Sequence, residues 1–191
     1  MRVLSAHIEA LALSFKKDME LKAAEKVALD FQARTKDLYR KCLLAGSIRR
    51  REPTVHDIDF AVVPKAKNFG LWKDAVSRRV REIGGEVVTF GEVISNFRYG
   101  GAQVNLFLCL NENGWGVTQM WATGPKGHTI GMTIKAREKG LVINSKGLWT
   151  REDPPRLLKT RTEEDVGRIL GWKFKPPEAR GKGGKREPAF H

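Results

Sequence analysis

The chain has 191 residues, with 35 Lys and Arg against 22 Asp and Glu, a formal net charge of +13 and a pI near 10.0. That length buries one good core or two small ones, and the charge points to a polyanionic partner, either nucleic acid or an anionic membrane. No run approaches the roughly twenty apolar residues that span a bilayer, the start has no cleavage pattern of a secretory signal, and the only cysteines, Cys42 and Cys109, lie in apolar runs that suit buried thiols rather than a zinc site. The chain reads as soluble and intracellular, with no membrane contact required.

Residues 1–41 read as helix, with Leu21, Ala24, Ala28, Phe31 and Leu38 at roughly helical spacing. The apolar runs Cys42 to Ala45 and Phe60 to Val63 follow as two buried strands, joined by the basic loop Gly46 to Asp59. In that loop Gly46 lets the backbone approach a ligand, Ser47 offers a hydroxyl, and Arg49 to Arg51 offer donors that suit phosphate oxygens. At its far end Asp57 and Asp59 are two apart, so both carboxylates leave one strand face and suit a hard cation, magnesium first, that shares ligands with substrate phosphates. A solvated strand end is the plain alternative for such a pair. His56 is expected to point away from the carboxylate face.

Leu71 to Ile83 reads as a basic amphipathic helix with the stripe Leu71, Val76, Val80 and Ile83, closed by Gly84-Gly85; its Arg78, Arg79 and Arg81 form a mostly solvated face. Strands are expected over Glu86 to Phe90, Val93 to Tyr99 and Ala102 to Leu110. In the last, Gln103 and Asn105 share a face, and pairing beside Asp57 and Asp59 would bring Asn105 to the cation. A helix through Met120, the turn Trp121 to Pro125, a helix over Lys126 to Lys139, and a hairpin with its turn at Asn144 to Gly147 come next. Thr162 to Asp165 opens the final helix with a capping pattern and Gly171 closes it. From Lys175 the tail is rich in Pro, Gly and basic residues and is expected to be disordered until it meets a phosphate backbone.

The ordered set Gly46-Ser47 with Arg49-Arg50, Asp57-x-Asp59, Gln103 to Phe107, Thr123-Gly124, Lys139 to Leu141, Asn144, Gly147-Leu148, Thr162 to Asp165 and Ile169 to Gly171 resembles family X DNA polymerases in their reduced palm-plus-thumb form, over residues 40–177. The resemblance implies an α+β fold: a nucleotidyltransferase palm with a mixed sheet and helices over residues 1–118, a small α/β thumb that holds the nascent base pair over 119–174, a basic tail over 175–191, and no lyase domain. It implies nucleotidyl transfer to a primer 3′-end with two Mg2+ ions, or Mn2+ in their place, on gapped or primer-template DNA with a deoxynucleoside triphosphate, by a monomer.

By the same resemblance Asp57, Asp59 and Asn105 stand at the catalytic and metal positions. Gly46, Ser47, Arg49, Arg50, Trp121, Ala122, Gly124 and Thr129 stand around the nucleotide, Arg49 as support. DNA contacts are expected from Arg78, Arg79, Lys126, Lys135, Arg180 and Lys182. Four departures matter. Asn105 replaces the third aspartate and supplies neither charge nor base, by deliberate substitution or by natural loss. Ala122 replaces an aromatic and leaves room for ribonucleotides. Pro125 and Thr129 replace the Ser and Asn that serve the minor groove. The missing lyase domain leaves DNA grip to the helices and the tail. Two other readings share parts of the pattern: another nucleotidyltransferase, terminal-transferase-like, and a non-catalytic protein that binds gapped DNA.

Overall fold

The computed structural model describes residues 18–180. A five-stranded mixed sheet organises the first half. β1 (Met19–Glu20) pairs with β3 (Thr54–Val55) at the rim, and the main sheet has β2 (Tyr39–Leu44) at one edge, followed by β4 (Ile58–Pro64), β7 (Ala102–Leu108), β6 (Ile94–Tyr99) and β5 (Glu86–Phe90). Only the central β4–β7 pair is parallel. Strands there are covered on both faces, which explains the unbroken apolar run from Phe60 to Val63.

Helix α1 (Leu21–Thr35) and helix α3 (Phe69–Glu82) cover one face of this sheet. Between them in sequence, the short helix α2 (Gly46–Arg49) forms inside the loop expected to join β2 to β4. Ala24, Ala28 and Phe31 are fully or almost fully buried, and the Phe31 ring lies 5.8 Å from Phe60, 6.5 Å from Phe97 and 5.3 Å from Tyr99.

Two expectations about these helices need correction. The first helix stops at Thr35, whose hydroxyl donates back to the Phe31 carbonyl at 2.7 Å. A short 3-10 turn over 36–38 then leads into β2, held by Trp72 Nε1 donating to the Leu38 carbonyl at 2.9 Å. The segment 1–17 of that expected helix lies outside the described residues. In α3 the buried line is Trp72, Val76 and Val80, four residues apart, whereas Leu71 is 67% exposed. Asn68 caps this helix by accepting from the Leu71 N–H at 3.1 Å.

The second half adds α4 (Trp115–Thr123), α5 (Lys126–Glu138), the hairpin β8 (Val142–Asn144) and β9 (Gly147–Trp149), and α6 (Glu163–Leu170). Helix α4 is buried nearly all round. Trp115 and Ala122 face the sheet with Ala45, Ala61, Val63 and Cys109, and Val117 and Met120 face a separate core with Met132, Ile143, Leu148, Val166 and Leu170. Gly116 makes the junction close: a Cβ there would lie 2.0 Å from the Thr162 carbonyl oxygen. The hairpin and the Thr162–Asp165 capping box form as the sequence suggests, and Gly171 ends α6 with φ +64°.

The tail expectation also changes. Residues 177–179 form a 3-10 turn, and Arg180 is buried against α6 rather than free. Phe31→Ala should cost about 3–5 kcal/mol, the range for emptying a large aromatic site, and urea unfolding at fixed pH reads it directly.

Candidate active site

Parallel pairing of β4 with β7 sets Asp59 beside Asn105 in register. Asp57 lies two residues earlier, so its carboxylate emerges on the same side. The Asn105 carboxamide joins them: Nδ2 donates to Asp57 Oδ2 at 3.1 Å and to Asp59 Oδ1 at 2.8 Å. Gln103 Nε2 donates to Asn105 Oδ1 at 2.9 Å, so the amide pair expected on one strand face is present. Burial first, and then the Asp57 charge, push the Asp59 carboxyl up to about 7, against the Asn105 hydrogen bond and the Arg50 charge, which pull it down. Gly46 closes over this carboxylate with φ +58°, and a Cβ there would lie 2.2 Å from Asp59 Oδ2.

Ser47 and Arg50 line a cleft of about 320 Å³ with Glu52, Pro53, Thr54, His56 and Pro125. Arg50 donates from Nη1 to the Thr123 carbonyl, and its Nε lies 3.6 Å from Glu52 Oε1. Its guanidinium therefore reaches from the α2 turn to the end of α4. Gly124, with φ +63°, lies against it: a Cβ there would come within 3.4 Å of Arg50 Nη1. His56 pairs with the exposed Asp18 at 2.5 Å, away from the carboxylates, as expected.

Arg49 does not face this cleft. Its guanidinium makes two hydrogen bonds of 3.0 Å to Glu163 and one of 2.7 Å to the Thr123 hydroxyl. Arg180 meets the same carboxylate at 3.1 and 3.0 Å, with its side chain fully buried. An acid shared by two guanidiniums thus ties the α2 turn, the first turn of α6 and the 175–180 segment together. Arg49, expected as support beside the nucleotide, and Arg180, expected on DNA, are both engaged by Glu163 in this structure. Sequence reading missed Glu163. The available signal was an excess of acid: Asp165 alone completes the capping box, which leaves Glu163 free for another task.

Other expected residues divide in the same way. Ala122 is buried against Ala45 and Ala61, so its side chain does not open on the cleft. Trp121 is half-buried against the second core. Thr129 turns its hydroxyl back to the Pro125 carbonyl at 3.3 Å, Lys126 is exposed, and Lys135 pairs with Glu138 at 2.8 Å. Arg78 is exposed and 3.9 Å from Glu82. Arg79 is committed inside the fold, to Asp37 at 2.8 and 3.1 Å and to the Arg34 carbonyl at 2.6 Å. It is corrected as a DNA contact, because a guanidinium with three acceptors in place has little to offer a phosphate. Lys182 lies outside the described residues.

Among the described residues, no group of three or more His, Cys, Asp and Glu is arranged to hold a metal ion. What fits a cation is the carboxylate pair itself. Asp59 is buried beside a second acid, an arrangement that costs free energy until positive charge arrives, and both groups offer the oxygen ligands that magnesium prefers. Phosphate oxygens from the adjoining cleft would complete the set.

A family model described as DNA polymerase beta thumb matches residues 118–181. Over 151 residues the chain is 25% identical to the repair DNA polymerase X of African swine fever virus (isolate Tick/South Africa/Pretoriuskop Pr4/1996), a match covering 76% of this chain and 84% of that protein. Both likenesses are to family X DNA polymerases. The fold is similar to that of solved polymerases beta. Leishmania infantum polymerase beta in a ternary P/T complex superposes with a TM-score of 0.72 at 17% identity, over 88% of this chain and 78% of the other. The same protein in a ternary gap complex gives 0.73 at 17% identity, over 88% and 72%. The stretch that matches the thumb begins within α4 and takes in α5, the β8–β9 hairpin and α6.

Two outcomes are expected for this polymerase. Glu163→Gln leaves two guanidiniums without their acid and should cost on the order of 3–5 kcal/mol, measured by urea unfolding. Asp59 has a folded pKa above its ordinary 3.8, so the folded state holds that proton more tightly than the unfolded one. Its contribution is full below about pH 4 and is lost as pH rises through about 7. The melting temperature of the metal-free protein should therefore fall between pH 5 and pH 8, and Asp59→Asn should flatten that fall.

Proposed function

We propose that this chain is a template-directed polymerase that adds nucleotides to a primer 3′-end in short DNA gaps, as a monomer, and that Asn105 slows its chemistry. The observation that carries the reading is the Asp57–Asp59 pair with Gly46 against Asp59, beside a cleft lined by Ser47 and by Arg50, whose charge acts on Asp59. A repair polymerase among its relatives and a gap complex among its structural likenesses support gapped DNA as the substrate. Such a protein works inside the cell, on DNA, and among the described residues no helix is long and apolar enough to cross a membrane.

Ser47 and Arg50 take the triphosphate, the hydroxyl and the guanidinium both donating to phosphate oxygens. Asp57 and Asp59 would hold magnesium, or manganese in its place, which when bound supplies positive charge to the attacking and leaving oxygens. The primer 3′-hydroxyl attacks the α-phosphorus in line and pyrophosphate leaves. The family's two-ion scheme asks for an oxygen ligand and a proton acceptor at position 105. Asn105 instead turns N–H groups toward Asp57 and Asp59, so the hydroxyl proton finds no carboxylate there. Lys126 and Arg78 are the exposed cations expected to meet the phosphate backbone, together with the basic tail.

A second reading, a non-catalytic protein that binds gapped DNA, is favoured by one observation: the carboxylates already have a neutral partner in Asn105. Primer extension on a gapped duplex with magnesium separates the two. Asn105→Asp should raise the rate on the order of 10²–10⁴. Binding of gapped DNA by both forms, with extension by neither, would establish the second reading instead.

A further inference from the structure

The Asn105 carboxamide can face Asp57 and Asp59 with its nitrogen or with its oxygen, and only one choice satisfies the surroundings. Asp57 and the deprotonated form of Asp59 accept hydrogen bonds and cannot donate them. The nitrogen therefore turns toward them, and both of its protons find partners. The oxygen is left pointing along β7 to Gln103, whose own nitrogen donates to it at 2.9 Å. Asn105 is 7% exposed, so water has little access to its two bonds with the carboxylates, whereas the Gln103 donor is exposed.

We infer that Gln103 and Asn105 form an amide clamp that keeps the Asp57–Asp59 pair assembled without a cation and restricts the site to one divalent cation, the one that arrives with the nucleotide. The inference rests on the nucleotidyl-transfer reading. A nitrogen that carries two protons offers a cation no lone pair, so position 105 as placed contributes donors where a third ligand oxygen would be needed. To present its oxygen, the amide must turn over. That turn gives up two charge-assisted bonds and sets the Asn105 nitrogen against the Gln103 nitrogen, so Gln103 must turn as well. Gln103 is thus a positioning residue that acts through Asn105. A cation that brings its own phosphate oxygens needs only Asp57 and Asp59, and for it the clamp is no obstacle. In the absence of any cation, the two amide protons offset part of the repulsion between the carboxylates, which one buried acid beside another would otherwise express in full.

The test uses the full chain and Asn105→Asp, each on gapped DNA with a dideoxy-terminated primer that blocks chemistry. Equilibrium dialysis against Mn2+ and the next nucleotide gives the ratio of bound metal to bound nucleotide. One Mn2+ per nucleotide is expected for the chain itself and two for Asn105→Asp. Melting in EDTA is the second measurement: Asn105→Asp should melt several degrees lower than the chain itself, and Mn2+ should restore it. Gln103→Met frees the amide to turn and should tighten Mn2+ binding roughly fivefold, the change one hydrogen bond supports; a merely structural role for Gln103 would weaken binding or leave it unchanged. Two Mn2+ per nucleotide on the unaltered chain, or equal melting of the two forms in EDTA, overturns the clamp. If neither form binds Mn2+ with nucleotide, the nucleotidyl-transfer reading and the one-cation limit fall together, and the EDTA comparison alone decides whether the amides hold the acids together.

Discussion

Everything at the candidate site depends on the one parallel pairing in the sheet. The alignment of β4 with β7 sets Asp59 next to Asn105, and a shift of one residue would turn one member of the pair to the opposite face. Helices α1 and α3 hold that register indirectly, by covering the sheet face on which Phe60 and Val62 are buried. The site occupies the same strands that carry the core, which gives its side chains the rigidity that positioning demands. The same burial raises the proton affinity of Asp59, so the fold makes the site unstable as a bare anion and receptive to positive charge.

A second constraint joins the two halves. The Arg49–Glu163–Arg180 cluster is an ion group out of water, and its stability relies on each partner being present. Arg49 and Arg50 are adjacent in sequence and both reach Thr123, one at its hydroxyl and the other at its carbonyl; Arg49 goes on to Glu163, while Arg50 lines the cleft. Any movement of the thumb is therefore felt at the residue next to the one that faces the cleft.

Much of this was legible in the sequence because it is local. The Asp57-x-Asp59 spacing, the Gln103 and Asn105 alternation, the capping box at Thr162 and the glycine at 171 each follow from strand or helix periodicity alone. What the sequence hid is tertiary. Arg49, Arg79 and Arg180 look like free cations in a basic chain, but Glu163, Asp37 and backbone carbonyls distant in sequence have claimed them. Leu71 was mistaken for the buried residue because the phase of α3 is set by the size of Trp72, a single residue away. The expected helix runs to residue 41 because Leu38 falls in phase with Phe31, whereas pairing of Tyr39 with Pro64 starts the strand at residue 39.

The burial of α4 on two sides bears on how such a chain could have been assembled. The stretch similar to a polymerase beta thumb begins at residue 118, in the middle of this helix. Yet the helix donates Trp115 and Ala122 to one core and Val117 and Met120 to the other, with Gly116 pressed against the Thr162 carbonyl. Neither module owns it. A cut at any point in the helix strips apolar surface from both, so insertion, exchange or loss of the thumb by recombination is disfavoured, and the two halves are bound to be inherited as one unit.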